Sequence, residues 1–236
     1  MSTLEQKRRA AARSLDRVAP GMRLGLGSGS TAELMVELLG ERVRAGLSLA
    51  ATVPTSPATR RLAEKLGLPV STLEETPHLH LTIDGADEVS PELMLIKGGG
   101  GAHLHEKLVA AASDRLLIIA EAKKRVPVLG AFPLPVEVVP VAARLVGERL
   151  RALGGVPSLR QVHGVPFRTE EQNLILDCAF GAIEDPRALA ARLDATPGIV
   201  EHGLFVDLAD EALFGTDAGV EVLTRTGPRA GGFHQR

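Results

Sequence analysis

The sequence predicts an α/β protein, a Rossmann-like parallel-sheet domain with an inserted smaller α+β domain of ferredoxin-like, split βαβ type. Three observations lead there. Short apolar runs ending in glycine or acidic turns recur ahead of amphipathic stretches, at 24–27, 48–53, 78–84 and 116–120. Such runs read as buried strands of a parallel sheet. At Phe132-Pro133-Leu134-Pro135 this rhythm breaks. From there the pattern reads strand 136–141, helix 142–153, strand 156–162, strand 173–180, helix 186–195 and strand 199–206, the split βαβ order. The expected domains are therefore 1–130 with 207–236, and 131–206 for the insert.

Bulk composition narrows the function. The chain has 236 residues, 44% of them apolar, and a net charge of −2. That supports a sizeable core and gives no broad attraction to nucleic acid or an anionic membrane. It has no Trp or Tyr to stack on bases. The expected partner is a small molecule, with neither nucleic acid nor membrane. Cys178 is the only cysteine, so no intrachain disulfide forms, and its apolar surroundings at 174–180 read as core. The N-terminus is charged and no apolar run approaches the ~20 residues of a spanning helix. A soluble cytoplasmic protein is the default expectation.

The N-terminal stretch 3–18 reads as an amphipathic helix closed by Pro20-Gly21, with Lys7 among Arg8, Arg9 and Arg13. Read locally, Lys7 belongs to a solvated face. Next comes a strand, then Gly27-Ser28-Gly29-Ser30-Thr31-Ala32-Glu33, then a helix to about Val43. A glycine-rich turn into a helix presents backbone N–H groups to a phosphate. Ser30-x-x-Glu33 also fits a capping box. The Walker loop is absent because no Lys ends this turn. The dinucleotide fingerprint lacks its third glycine and an acid after the second strand, where Pro54-Thr55-Ser56 stand.

Residues 59–66 read as a helix, 69–71 as a short strand, and 78–84 as a strand ending in Asp84-Gly85-Ala86-Asp87-Glu88. Ligands of open parallel sheets bind beyond the carboxyl ends of the strands. Asp84, Lys97 and the 27–31 loop are all expected at such ends, in one crevice. Asp84, Asp87 and Glu88 could instead hold a divalent metal. His78, His80, His103 and His105 contain no His-Glu-x-x-His arrangement. After strand 116–120, Glu121-Ala122-Lys123-Lys124-Arg125 reads as a charged turn that could reach a phosphate. Residues 211–215 and 219–223 return to the first domain, and 227–236 reads as a loose polar tail.

The stretch that organises the rest is Lys97-Gly98-Gly99-Gly100-Gly101-Ala102-His103-Leu104-His105-Glu106-Lys107. It reads as the end of strand 92–96, a glycine loop and a helix start. Glycines suit a backbone that must approach a ligand closely. Leu104 and Leu108 share a helix face, and Glu106 lies about 200° around from each, away from that expected core face. A Glu near a helix N-terminus is also favoured by the macrodipole.

Four motifs in order now carry a resemblance: Gly27-Ser28-Gly29-Ser30-Thr31-Ala32, Asp84-Gly85-Ala86-Asp87-Glu88, Lys97-Gly98-Gly99-Gly100 with Glu106-Lys107, and Phe132-Pro133-Leu134-Pro135-Val136-Glu137-Val138. Together they resemble the A-type ribose-5-phosphate isomerases. The resemblance implies metal-independent interconversion of D-ribose 5-phosphate and D-ribulose 5-phosphate, an aldose–ketose isomerisation of the non-oxidative pentose phosphate pathway. No metal or organic cofactor is expected. It implies Glu106 as the base that moves a proton between C2 and C1, with Asp84 and Lys97 serving ring opening and the enediolate. It implies substrate binding by Lys7, Ser28, Gly29, Ser30, Thr31, Asp84, Gly85, Ala86, Asp87, Lys97, Gly98, Gly99, Gly100 and Lys124, and a homodimer or dimer of dimers. Ser28 stands where the family often has Thr, Lys124 is preferred over Lys123 by register, and Gly101 replaces a common Ala and is expected to loosen the loop. The competing readings are a non-enzymatic sugar-phosphate sensor, a metal-dependent sugar-phosphate enzyme using Asp84, Asp87 and Glu88, and a nucleotide-binding oxidoreductase.

Overall fold

The computed structural model describes residues 2–227; most of the expected polar tail lies outside the described residues. The chain opens with α1 (Thr3–Ser14), where the Ser2 hydroxyl accepts the Glu5 N–H, and a 3-10 turn at Leu15–Arg17. β1 (Arg23–Leu26), α2 (Ser30–Arg44), β2 (Ala51–Pro54), α3 (Pro57–Lys65) and β3 (Leu81–Asp84) follow. α3 starts where it does because Ser56 accepts the Thr59 N–H and Pro57 fixes the first turn. Next come β4 (Glu88–Val89), β5 (Leu95–Ile96), α4 (His103–Ala111) and β6 (Leu116–Glu121).

The middle segment supplies β7 (Leu134–Val138), α5 (Ala143–Ala152), β8 (Val156–Leu159), β9 (Gln161–Val162), β10 (Val165–Pro166), β11 (Leu174–Ala179), α6 (Pro186–Asp194), β12 (Ile199–His202) and β13 (Leu204–Phe205). The chain closes with β14 (Glu211–Gly215) and β15 (Val220–Thr224).

The main sheet has the order β15-β14-β6-β3-β1-β2, parallel except for β15. β6 shows why it is covered on both faces. Leu117 and Ile119 join Leu24, Leu26, Met35 and Leu39 in one core, while Leu116, Ile118 and Ala120 join Leu95, Phe205 and Phe214 in the other. Alternate residues of a strand point to opposite faces, so a strand buried on both sides is apolar throughout. β2 lies on one side of β1 and β3 on the other. The chain thus reverses its winding at β1, and the crevice for a ligand opens beyond β1 and β3.

The second sheet has the order β12-β7-β11-β8, all pairs antiparallel, with α5 and α6 sharing its core through Val146, Leu150 and Leu193. This is the expected split βαβ arrangement. Cys178 is buried in it, and burial pushes its thiol up to about 12.

Three expectations need correction. Residues 92–96 do not form a strand of the main sheet: only Leu95–Ile96 is extended, in a separate three-stranded sheet between β4 and β13. Lys97 therefore enters the crevice from a different sheet. Residues 69–71 form no strand but a single bridge, Thr52 to Val70. The face of α4 is also reversed. Leu108 is 49% exposed, whereas Glu106 is 5% exposed and His103 is fully buried. α4 packs against β3 and β12, so its inward face carries polar groups that hydrophobic periodicity assigns to solvent.

Candidate active site

The site begins where β1 ends. The Gly27 N–H donates to the Ile83 carbonyl at 2.9 Å, and the Ser28 N–H donates to Asp84 Oδ1 at 3.1 Å. Gly85 N–H donates to the same oxygen at 2.7 Å. A Cβ on Gly27 would lie 2.0 Å from Asp84 Oδ1, so glycine is what lets the two strand ends close on one carboxylate.

α2 starts at Ser30, but Gly29 is its cap residue, with φ 89° and no side-chain capping bond. The capping box read from Ser30 and Glu33 is therefore not formed. The Ser30 hydroxyl accepts from Lys7 Nζ at 2.8 Å. α1, packed on α2, carries Lys7 to the crevice, so the solvated-face reading of Lys7 is also replaced. A positive helix end and a lysine converge there.

Lys97 is the centre of the buried charges. Its Nζ lies 2.9 Å from Asp84 Oδ2 and 3.3 Å from Glu106 Oε2, and donates to the Gly85 carbonyl at 2.5 Å. The Phe205 ring centroid lies 5.4 Å from it, close enough for a cation–π contact. The Ser28 hydroxyl donates to Glu106 Oε1. Glu106 Oε2 and Asp84 Oδ2 accept no well-aligned hydrogen bond among the described residues.

Two carboxylates thus share one ammonium away from water. Burial pushes the Asp84 carboxyl up to about 7, Lys97 opposes the rise and the Glu106 charge adds to it. For Lys97, burial works against the charge, but Asp84 and Glu106 outweigh it and raise its pKa above the ordinary lysine value. Desolvation and neighbouring charge are the two causes, and here they act in opposite directions on the cation.

A cleft of about 340 Å³ lies over this cluster. Every catalytic or substrate-binding residue that the resemblance implies borders it except Asp84, which lies beneath. Asp87 holds the glycine loop by accepting the Gly99 N–H at 2.8 Å, and Lys124 Nζ lies 3.9 Å from its Oδ1. Lys123 borders the cleft as well but is the more exposed of the two lysines. Glu121 also lines it and was missed; it ends β6, the neighbour of β3, so the strand-end rule that found Asp84 could have found it.

Gly101 has φ +79°, and a Cβ there would meet the Phe167 ring at 2.6 Å, so the ring seats directly on the backbone. The acids of the 84–88 turn diverge: Asp84 faces Lys97, Asp87 faces Gly99, and Glu88 accepts the N–H groups of Gly130 and Phe132, each at 2.6 Å. Among the described residues, the group with metal-ligand proximity is Asp194, Glu201 and His202. There His202 pairs with Asp194 at 3.0 Å and Lys107 Nζ with Glu201 at 2.5 Å, so those atoms already have partners.

Comparison with known proteins supplies the family. The family model for "Ribose 5-phosphate isomerase A (phosphoriboisomerase A)" matches residues 51–219. The chain is 52% identical to the ribose-5-phosphate isomerase A of Parvibaculum lavamentivorans, over 94% of this chain and 99% of the relative. It is 53% identical to that of Roseiflexus castenholzii, covering 92% and 94%. Among solved structures, it is similar to ribose 5-phosphate isomerase A from Neisseria gonorrhoeae, with TM-score 0.90, 39% identity, and 96% and 99% of the two chains covered. It is also similar to a D-ribose-5-phosphate isomerase solved in complex with phospho-erythronic acid, with TM-score 0.93, 34% identity, and 95% and 100% covered. By sequence and by fold, this chain belongs to the ribose 5-phosphate isomerase A family.

Proposed function

We propose that the chain interconverts D-ribose 5-phosphate and D-ribulose 5-phosphate, an aldose–ketose isomerisation of the pentose phosphate pathway, with Glu106 as the base. The observation that carries the reading is Glu106 Oε2 lying 3.3 Å from Lys97 Nζ under a cleft rimmed by a helix N-terminus and lysines. A base beside a cation is what proton removal next to a carbonyl requires, because negative charge moves onto oxygen as the proton leaves.

In the forward direction Asp84 and Lys97 serve ring opening. Glu106 then takes the C2 proton of the open aldose, and the electron pair of that bond forms the enediolate. Lys97 and the Gly100 N–H of the glycine loop face the developing charge. Glu106 returns the proton to C1 as the C2 hydroxyl proton passes to the C1 oxygen, which leaves a hydroxyl at C1 and the carbonyl at C2. Ser30, Thr31, Lys7 and Lys124 hold the phosphate end; binding energy there orients the reacting carbons. Gly29, Gly85, Ala86, Asp87, Gly98, Gly99 and Gly100 bring backbone close to the sugar. A phosphorylated aldonic acid, the kind of ligand in one solved relative, carries a planar carboxylate like the enediolate and is expected to compete for this cleft.

Residues 131–206 act as a small domain set into a larger one of 1–130 and 207–236, and the working form is a homodimer or a dimer of dimers. No helix among the described residues is long and apolar enough to cross a membrane; a cytoplasmic location accords with the substrate.

The test is conversion of ribose 5-phosphate by purified protein in excess chelator, with Glu106→Gln beside it. The parent is expected to convert substrate, and the variant to lose at least ~10²-fold in kcat with binding retained. Near-normal turnover by the variant would overturn the assignment of the base. No turnover by folded parent protein would overturn the isomerase reading.

A further inference from the structure

One side chain outside the cleft has hold of its floor. Arg160 lies between β8 and β9, and its own N–H donates to the Ile175 carbonyl of β11 at 2.9 Å. Its guanidinium grips Asp177 of β11 through two bonds, Nε to Oδ2 at 2.9 Å and Nη2 to Oδ1 at 2.5 Å. The remaining nitrogen, Nη1, crosses to the glycine loop and donates to the carbonyls of Gly98 at 2.9 Å and Gly99 at 3.2 Å. A planar fork pinned by a carboxylate on one edge presents its other edge in a fixed direction.

Those two carbonyls decide where the loop N–H groups point. Every described peptide bond is trans. In a planar trans peptide the C=O and N–H point to opposite sides. With the Gly98 carbonyl on Arg160, the Gly99 N–H must face away, and it does, donating to Asp87 Oδ2 at 2.8 Å. With the Gly99 carbonyl on the same nitrogen, the Gly100 N–H is turned to the side opposite Arg160. Asp87 and Gly100 both border the cleft. A second contact reinforces the first. The Phe167 N–H donates to the Arg160 carbonyl at 2.9 Å, and the Phe167 ring lies against Gly101 and 5.9 Å from the guanidinium.

We propose that Arg160, anchored by Asp177, is a positioning residue for the isomerisation: it fixes the peptides of Gly98–Gly100 so that the Gly99 N–H is held on Asp87 and the Gly100 N–H meets the oxygen on which charge develops. The proposal rests on the isomerase reading above. It gives the small sheet a catalytic task, because the side chain that orients the loop is rooted in that sheet. Arg160 touches neither substrate nor reacting atoms and works through the glycine backbone.

The test is steady-state kinetics on ribose 5-phosphate for the parent, Arg160→Ala, Asp177→Asn and the double variant, with melting curves for each. Donors aimed at developing charge act on the transition state more than on bound substrate. Arg160→Ala is therefore expected to lower kcat about tenfold or more with KM within about threefold. Asp177→Asn should show a smaller loss of the same kind. The double variant should be no worse than Arg160→Ala, since the two act as one unit. A kcat within about twofold of the parent, a loss confined to KM, or additive losses would each overturn the proposal. If Arg160→Ala does not fold, Asp177→Asn decides by the same split between kcat and KM. Failure of the parent to convert substrate would sink the isomerase reading itself, which is a different outcome.

Discussion

The hydroxyl of Ser28 donates a hydrogen bond to Oε1 of Glu106, a residue 78 positions further along the chain. The loop after β1 therefore reaches the proposed base as well as the proposed phosphate end of the cleft. With Oε1 held by Ser28, the oxygen beside Lys97 is Oε2. Ser28→Ala is expected to free the carboxylate to rotate and to lower kcat about tenfold, since small misplacements near reacting atoms are costly. Ser28→Thr keeps the hydroxyl and should stay near the parent rate. Equal kcat for Ser28→Ala and the parent would remove Ser28 from this role.

Asp84 ties activity and stability to pH. Its carboxyl is pushed up to about 7 in the folded protein, mainly by burial, from an ordinary 3.8. Between those values the folded chain holds a proton that the unfolded chain has released. Stability from this group is therefore full below about 4 and is lost as pH rises through about 7. Melting temperature should fall more between pH 5 and pH 8 in the parent than in Asp84→Asn. A parent-to-variant difference that is constant with pH would refute the assignment. If ring opening uses ionised Asp84 as proton acceptor, kcat/KM for the cyclic sugar rises through the same range.

Lys7 and Lys124 are expected to act on binding. Lys7 is held toward the cleft by Ser30 at 2.8 Å, and Lys124 sits near Asp87 and Phe132. A charge-assisted hydrogen bond contributes about 1.5–3 kcal/mol. Lys7→Ala and Lys124→Ala should each raise KM about tenfold or more and change kcat less. An unchanged KM for Lys7→Ala would return that residue to the solvated surface.

Gly27→Ala should damage fold and site together. The added methyl would meet Asp84 at its Oδ1, 2.0 Å away, and at its Cα, 2.5 Å away. Overpacking of this kind typically costs about 1–3 kcal/mol, and in a chain of this size that is several degrees of melting temperature. The variant should melt lower and lose kcat in parallel, because the displaced carboxylate is the one paired with Lys97. A normal melting temperature with normal kcat would show that β1 and β3 can separate without cost.

Much of this protein was legible along the chain. Parallel strands buried on both faces leave apolar runs such as 116–120, and turns at their ends leave glycines and acids. The split βαβ order and the positions of Asp84 and the 27–31 loop follow from these local patterns, because each is encoded within a few consecutive residues. Residue-by-residue roles came through the family resemblance.

The three-dimensional arrangement decided what no local pattern records. Hydrophobic periodicity turned Glu106 outward and Leu108 inward, whereas α4 buries Glu106 and His103 and exposes Leu108. Burial pushes His103 down to about 3, so it packs as a neutral ring. Buried polar groups are tolerated where partners offset their desolvation, and for Glu106 those partners, Ser28 and Lys97, come from other elements. Lys97 enters from a second sheet, and Arg160 reaches the glycine loop from a third, about 60 residues away in sequence. Sequence by itself determined the strands of the main sheet, the loops and the chemical groups at their ends. Only tertiary contact decided which groups face one another, because pairing between distant side chains depends on how sheets and helices pack, and that leaves no period in the sequence.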